Sequence, residues 1–215
     1  MNSFRLNSAF SLAEALVATA ILMLLAAILL PVFVQGKRAG ERSVCVSNLG
    51  QLGKGIALYA VDHDGKNPRV PSPVSRHLAG GALGARTPFL RLVRDFEADL
   101  SRTMIFYGVA TRLWRCPSDQ ASPMYGLRSG SWHAEIGSSY DYDDVTAFGL
   151  APEPSDPSQA VLMMDIEAWH GGLLPSGTPF IRPQGRRNLL FYDLRVAMDA
   201  AGRWSTGFAP LSQGR

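Results

Sequence analysis

Apolar positions change their spacing along this chain, and each spacing predicts a different element. From Ala15 to Val34 they form a run without a single charge. Some 20 apolar residues at roughly 1.5 Å each match a hydrocarbon core about 30 Å thick, so the run predicts a membrane-spanning helix. Pro31 lies inside it and would kink it, because proline removes a helical hydrogen bond and clashes with the preceding turn. Beyond Lys37 the apolar residues thin out. Cys45, Leu49, Leu52, Ile56 and Tyr59 recur at helical spacing, one stripe on an otherwise polar helix. Gly50, Gly53 and Gly55 weaken that helix intrinsically, so packing must hold it. It should end near Asp62, where His63-Asp64-Gly65-Lys66-Asn67-Pro68 gathers turn and breaker residues.

Past that point the pattern shortens. Thr87-Pro88 followed by Phe89, Leu92, Val93, Phe96 and Leu100 predicts a short amphipathic helix with a cap and a proline at its first position. Met104 to Val109, Leu113 to Cys116, Ala160 to Ile166 and Asn188 to Met198 read as strands, with Arg203-Trp204 a final edge. The Gly- and Pro-rich segments 68–88, 117–137 and 149–158 read as loops. The expected fold class is α+β: a long N-terminal helix, half membrane-spanning and half amphipathic, packed on an antiparallel β-sheet with long loops.

One charge breaks the N-terminal pattern. Glu14 stands at the mouth of the apolar run, where a carboxylate is costly and usually has a partner or a function. Before it lies a short polar leader, Met1 to Ala9, with Arg5 as its one basic residue. The apolar core is longer than the roughly 7–15 residues of a cleaved secretory signal, and the leader lacks a basic cluster. An ordinary single-span anchor explains the apolar run but neither Glu14 nor the Ala9-Phe10 junction. Ser8-Ala9-Phe10-Ser11-Leu12-Ala13-Glu14 resembles the prepilin signal of type IV pilins and type II secretion pseudopilins. In that family a small residue, usually Gly, precedes a cut by prepilin peptidase, and the new N-terminal Phe is methylated. A Glu four residues further on is the family hallmark. The resemblance implies cleavage between Ala9 and Phe10, N-methylation of Phe10, and an assembly role for Phe10, Glu14 and Pro31.

A second stretch extends the resemblance. Cys45-Val46-Ser47-Asn48-Leu49-Gly50-Gln51-Leu52, then Tyr59-Ala60 and Asp62-His63-Asp64-Gly65, resembles a bacterial subfamily of pseudopilin-like proteins. Cys116-Pro117-Ser118-Asp119, Ser139-Tyr140 and Asp156-Pro157-Ser158 also stand where that subfamily has similar residues. Its members often end in a His, nine residues, Asp-Gly signature. Here Arg182, Gly185, Asn188, Leu190, Phe191, Asp193 and Val196 fit that segment, while Pro183, Leu194 and Arg195 replace its His, Gly and His. Leu at position 194 resists positive φ and implies a different turn. The implied division is a leader over 1–9, a transmembrane and assembly helix over 10–35, its amphipathic continuation over 36–62, and a pilin-like domain over 63–215.

Composition narrows the rest. The 215 residues leave room for one globular domain of ordinary size beyond the stem. The net charge is +3, and basic residues are scattered except for the pairs Lys37-Arg38 and Arg186-Arg187. No dedicated nucleic-acid groove is therefore expected. Lys37, Arg38 and Arg42 lie past the span, so the charge bias alone would place that side in the cytoplasm. The resemblance implies the opposite: a single-pass protein of the bacterial inner membrane with its globular domain outside. Cys45 and Cys116 show no CxxC and no His spacing that completes a zinc site, which leaves a disulfide or two separate buried thiols.

Candidate chemistry is sparse. Asp141, Asp143 and Asp144 offer oxygen ligands to calcium, or form a solvated acidic turn. Asp165 and Glu167 flank Ile166 on one strand face, a pattern that suits strand-end hydrogen bonding or a surface salt bridge better than acid–base catalysis. His63, His77, His133 and His170 are far apart in sequence, and no nucleophile elbow is present, so no enzyme is expected. Trp114, Trp132, Trp169 and Trp204 are expected mainly in the core, with Trp132 and Trp169 the best candidates for exposure. The expected function is a filament subunit whose partners are prepilin peptidase, other pilin or pseudopilin subunits and an inner-membrane assembly platform. A membrane-anchored extracellular binding module that never polymerises is the alternative.

Overall fold

The computed structural model describes residues 11–80, 88–94, 96, 98–119, 130–166, 170 and 186–199. Helix α1 runs from Leu12 to Asp62 and continues through Pro31. Short helices α2 (Pro73–Ala79), α3 (Pro88–Arg94) and α4 (Leu100–Ile105) follow, then a 3₁₀ turn over Thr111–Trp114 and α5 (Trp132–Ile136). Strand β1 (Tyr140–Tyr142), helix α6 (Asp144–Ala147) and strands β2 (Val161–Asp165), β3 (Asn188–Phe191) and β4 (Val196–Met198) complete the fold. The strands form one antiparallel sheet in the order β1-β2-β3-β4. The class is α+β, with a long N-terminal helix and an antiparallel sheet.

The chain divides into two compact units, residues 1–40 and 41–215. In the second unit the expected stripe of α1 is the packing face. Cys45, Leu49, Leu52 and Ile56 are buried, and Tyr59 packs partly buried against the same core. They share a cluster with Met104, Leu113, Trp114, Tyr140, Tyr142, Met163 and Leu190. Strand β2 is buried along its whole length, as a continuous apolar run should be when both sheet faces are covered. The register slips between Val161 and Met163, and Val161, Met164, Leu189 and Phe191 form a second cluster.

The stem glycines divide by what surrounds them. A Cβ on Gly55 would stand 2.3 Å from Val109 Cγ2, and one on Gly53 would stand 2.9 Å from Leu190 Cδ2. These two glycines let the helix axis approach the domain. Gly50 has nothing within 4 Å of a built Cβ. Gly50→Ala should therefore stabilise the fold by about 1 kcal/mol through helix propensity. Gly55→Ala should destabilise it by about 1–3 kcal/mol through overpacking. Paired urea melts check both signs.

Several expected elements take another form. Met104 to Val109 is not a strand. Asp99 caps α4, its Oδ1 accepting from the Ser101 amide at 2.7 Å, and Met104 is buried while Ile105 and Phe106 are exposed. Capping decides the helix there against the β propensity of the apolar run. Leu113 to Cys116 begins as the 3₁₀ turn, which buries the adjacent Leu113 and Trp114 together where a strand would alternate them. The 68–88 loop contains α2, with Ser72 capping Ser75 and Pro73 at the first helical position. The 117–137 loop contains α5, capped by Ser131 and closed by Gly137 at φ 82°. The predicted helix from residue 88 stops at Arg94, and Leu100 begins α4. Its Thr87 cap lies outside the described residues, as does Arg203-Trp204.

The predicted strand from Asn188 to Met198 is a hairpin, β3 and β4, which turns at Tyr192 to Arg195. Leu194 adopts φ 65°, the left-handed conformation a glycine would take, so the expectation of a different turn is overturned. Its amide donates to Phe191 O at 2.9 Å. Arg195 supplies the anchor that offsets the strain: its amide donates to Asp193, its Nη2 donates to Ser158 O at 2.8 Å, and its guanidinium lies 4.0 Å over the Phe191 ring.

Candidate functional site

The start of α1 holds its lone carboxylate in a reciprocal pair. The Glu14 amide donates to Ser11 Oγ at 3.2 Å, and Glu14 Oε2 accepts from the Ser11 amide at 2.9 Å. This is a capping box, and Ser11 with Glu14 three residues on was its sequence signal. Ala9 and Phe10 lie outside the described residues. Every residue from 11 to 40 is exposed, Pro31 included. The large apolar side chains from Leu12 (81 %) to Val34 (44 %) are exposed among the described residues. By length and composition this helix is apolar enough to cross a membrane.

A second constellation lies deep in the domain. Cys45 of α1 and Cys116, just past the 3₁₀ turn, are joined by a disulfide. His170 is buried against it, with its Nε2 3.7 Å from Cys116 Sγ and 3.3 Å from Asp165 Oδ2. His170 is fixed by two backbone hydrogen bonds to Arg186. Asp165 ends β2 fully buried, and its Oδ2 also accepts from the Asn188 amide at 2.6 Å. Burial pushes its carboxyl up, while His170 pulls it down. Of the two expectations for Asp165, strand-end hydrogen bonding is met by the Asn188 backbone amide, and a surface salt bridge is not, because the carboxylate is buried; Glu167 lies outside the described residues. Spacing gave no zinc pattern, yet the fold brings donor atoms of Cys45, Cys116 and His170 within 4.8 Å of one another. Sequence reading missed this because His170 joins the cysteines across 54 residues, with no local motif.

The three carboxylates of the acidic stretch sit on two elements. Asp141 belongs to β1; Asp143 caps α6, accepting from the Thr146 amide at 3.2 Å and from Tyr192 Oη at 3.0 Å. Asp144 Oδ2 accepts from the Ser72 amide at 2.7 Å. Both Asp143 and Asp144 are buried, so a solvated acidic turn does not describe them.

Asp141 is partly buried, and its Oδ1 is shut off from water without a hydrogen-bond partner. Burial pushes its carboxyl from 3.8 up to about 7, and Asp144 is raised in the same direction. The folded state therefore holds a proton that the unfolded state has released between those values. The stabilisation is fully present below pH 3.8 and is lost as pH rises to about 7, by up to about 1.4 kcal/mol per pH unit. Asp141→Asn should flatten that slope, and denaturant melts at several pH values check it.

The Cys-Pro-Ser-Asp run has a structural task. Asp119 accepts from the Trp132 and His133 amides and from the hydroxyls of Ser131 and Ser139. It thereby ties the start of α5 to the segment entering β1. Ser139 Oγ also accepts from the Cys116 amide at 2.9 Å. Trp132 is buried, at 4 % exposure, against the edge of His77, so the expectation of its exposure is corrected. Trp114 is buried as expected, and Trp169 and Trp204 lie outside the described residues. No protein family, curated protein or solved structure matches the chain.

Proposed function

We propose that this chain is a pilin-like structural subunit, cut by prepilin peptidase between Ala9 and Phe10 and assembled through α1 into a type IV pilus or a type II secretion pseudopilus. Its work is assembly at the bacterial inner membrane, with the globular domain outside, and not turnover. The observation that carries this reading is the helix start. A lone carboxylate, Glu14, heads a stretch whose apolar side chains are exposed among the described residues. Such a surface gains roughly 25 cal/mol for each Å² covered, so it needs lipid before assembly and neighbouring helices after it. In a filament core Glu14 would meet the methylated amine of Phe10 on a neighbouring subunit, and that pairing would fix the axial register. The membrane cost of two unpaired charges would drive it.

Mass spectrometry of the mature N-terminus tests the reading. The expected species begins at methylated Phe10; an intact Met1, or a cut beyond residue 25, would overturn it. A second reading, an anchored binding module, draws support from a cleft of ≈ 630 Å³ lined by Lys66, Arg69, Glu153 and Tyr192 among others. That module would need no methylated N-terminus at Phe10, and Glu14 would be dispensable.

A further inference from the structure

We propose that Cys45, Cys116, His170 and Asp165 form a redox-gated site for a zinc-like divalent cation, open to metal only when the disulfide is reduced. The site goes beyond the assembly reading and does not depend on it. Its donors come from α1, the segment after the 3₁₀ turn, the end of β2 and the segment that bridges to Arg186. All four residues are at most 3 % exposed.

The distances suit a tetrahedral ion. Zinc binds nitrogen and oxygen at about 2.0–2.1 Å and sulfur at about 2.3 Å, which sets a nitrogen–oxygen edge near 3.3 Å and a nitrogen–sulfur edge near 3.6 Å. His170 Nε2 stands 3.3 Å from Asp165 Oδ2 and 3.7 Å from Cys116 Sγ, so two edges are already at length. The donor atoms of Cys45, Cys116 and His170 all lie within 4.8 Å of one another, and the sulfur–sulfur edge is held short by a covalent bond. Reduction frees the sulfurs to separate to about 3.8 Å, the edge a tetrahedral zinc requires.

The surroundings fit ligands better than they fit a plain crosslink. A disulfide in an apolar core has no need of a buried acid and a buried imidazole beside it, and burying such groups is costly. Asp165 keeps one buried oxygen, Oδ1, without a hydrogen-bond partner. Its other oxygen is oriented by the Asn188 amide, and the Cys116 backbone is pinned by Ser139. Outer contacts of this kind orient the ligands of metal sites.

The chemistry closes in two steps. A phosphine and water reduce the disulfide: phosphorus takes the oxygen, and each sulfur takes one hydrogen. The cation then displaces the two thiol protons to solvent, while neutral His170 binds through Nε2 with its proton on Nδ1, and Asp165 binds as carboxylate.

The test uses the full chain in detergent micelles, oxidised or phosphine-reduced without oxygen, exposed to zinc and then dialysed. One zinc per reduced chain and none per oxidised chain is expected. Cobalt in place of zinc should show the absorption of a tetrahedral ion with thiolate ligands. His170→Gln and Asp165→Asn should each weaken binding by at least about tenfold, the scale of losing a supporting contact. Zinc should also raise the melting temperature of the reduced wild type, and not that of His170→Gln. Zinc retained equally by both variants would mean two free thiols chelating alone, and would overturn the site. So would a reduced chain that takes up no more zinc than Cys45→Ala/Cys116→Ala, or one that unfolds and is not refolded by zinc.

Discussion

Glu14→Gln should be processed like the wild type and start its helix normally, yet enter filaments at least about tenfold less, the minimum expected when a charge in hydrocarbon loses its ionic partner. The capping box separates two roles of one side chain. Glutamine can still accept from the Ser11 amide as Glu14 does at 2.9 Å, so the local fold at the helix start survives. What it lacks is the charge that would pair with a neighbouring Phe10 amine. Glu14→Ala should lose both, with a frayed first turn as well as failed assembly. Quantifying pelleted filaments beside circular dichroism of the micelle-bound subunit distinguishes the three proteins. Normal incorporation of the glutamine variant would leave Glu14 as a helix cap and nothing more.

Removing the crosslink should have the largest effect on stability. Cys45 and Cys116 are 71 residues apart, and closing a loop of that order is worth on the order of 4 kcal/mol in the chain-entropy model. Cys45→Ala/Cys116→Ala should lose about that much, a large share of the roughly 5–15 kcal/mol that holds a typical domain together. Melting should fall by about 10 °C for a domain of this size. Alanine is the right replacement because both positions are buried among apolar side chains. Guanidinium titration of the double variant and of the phosphine-reduced wild type, without metal, gives the number two ways. A loss under about 1 kcal/mol would mean that Leu49, Leu52 and Ile56 already hold the helix to the domain without the bond.

The stem was legible because its signals are long. Twenty uncharged positions and a stripe at helical spacing repeat the same message many times, and Asp64-Gly65 with Pro68 ends it where α1 stops at Asp62. Strand β2 was legible for the same reason, as a continuous apolar run. Short elements carried too little repetition. Strand β1 is Tyr140-Asp141-Tyr142, too brief to alternate convincingly, and α4 is set by a single cap at Asp99 that outweighs the β-prone residues after it. The buried cluster was invisible for a different reason. Cys45, Cys116, Asp165 and His170 meet through chain closure over long separations, and no spacing rule encodes that. Glu14 lies between the two cases: the resemblance implies an assembly role that remains a proposal, while Ser11 and Glu14 themselves spell the capping box seen in the structure.

The two outer strands of the sheet, β1 and β4, are each three residues long. An open edge is a template for strand addition by another chain, and brevity is one way to blunt it. Among the described residues, each outer strand offers only a few unpaired backbone groups to a neighbour. Copies crowded side by side would thus gain little by zipping their sheets together, and in the proposed filament ordered growth would fall to the apolar helix.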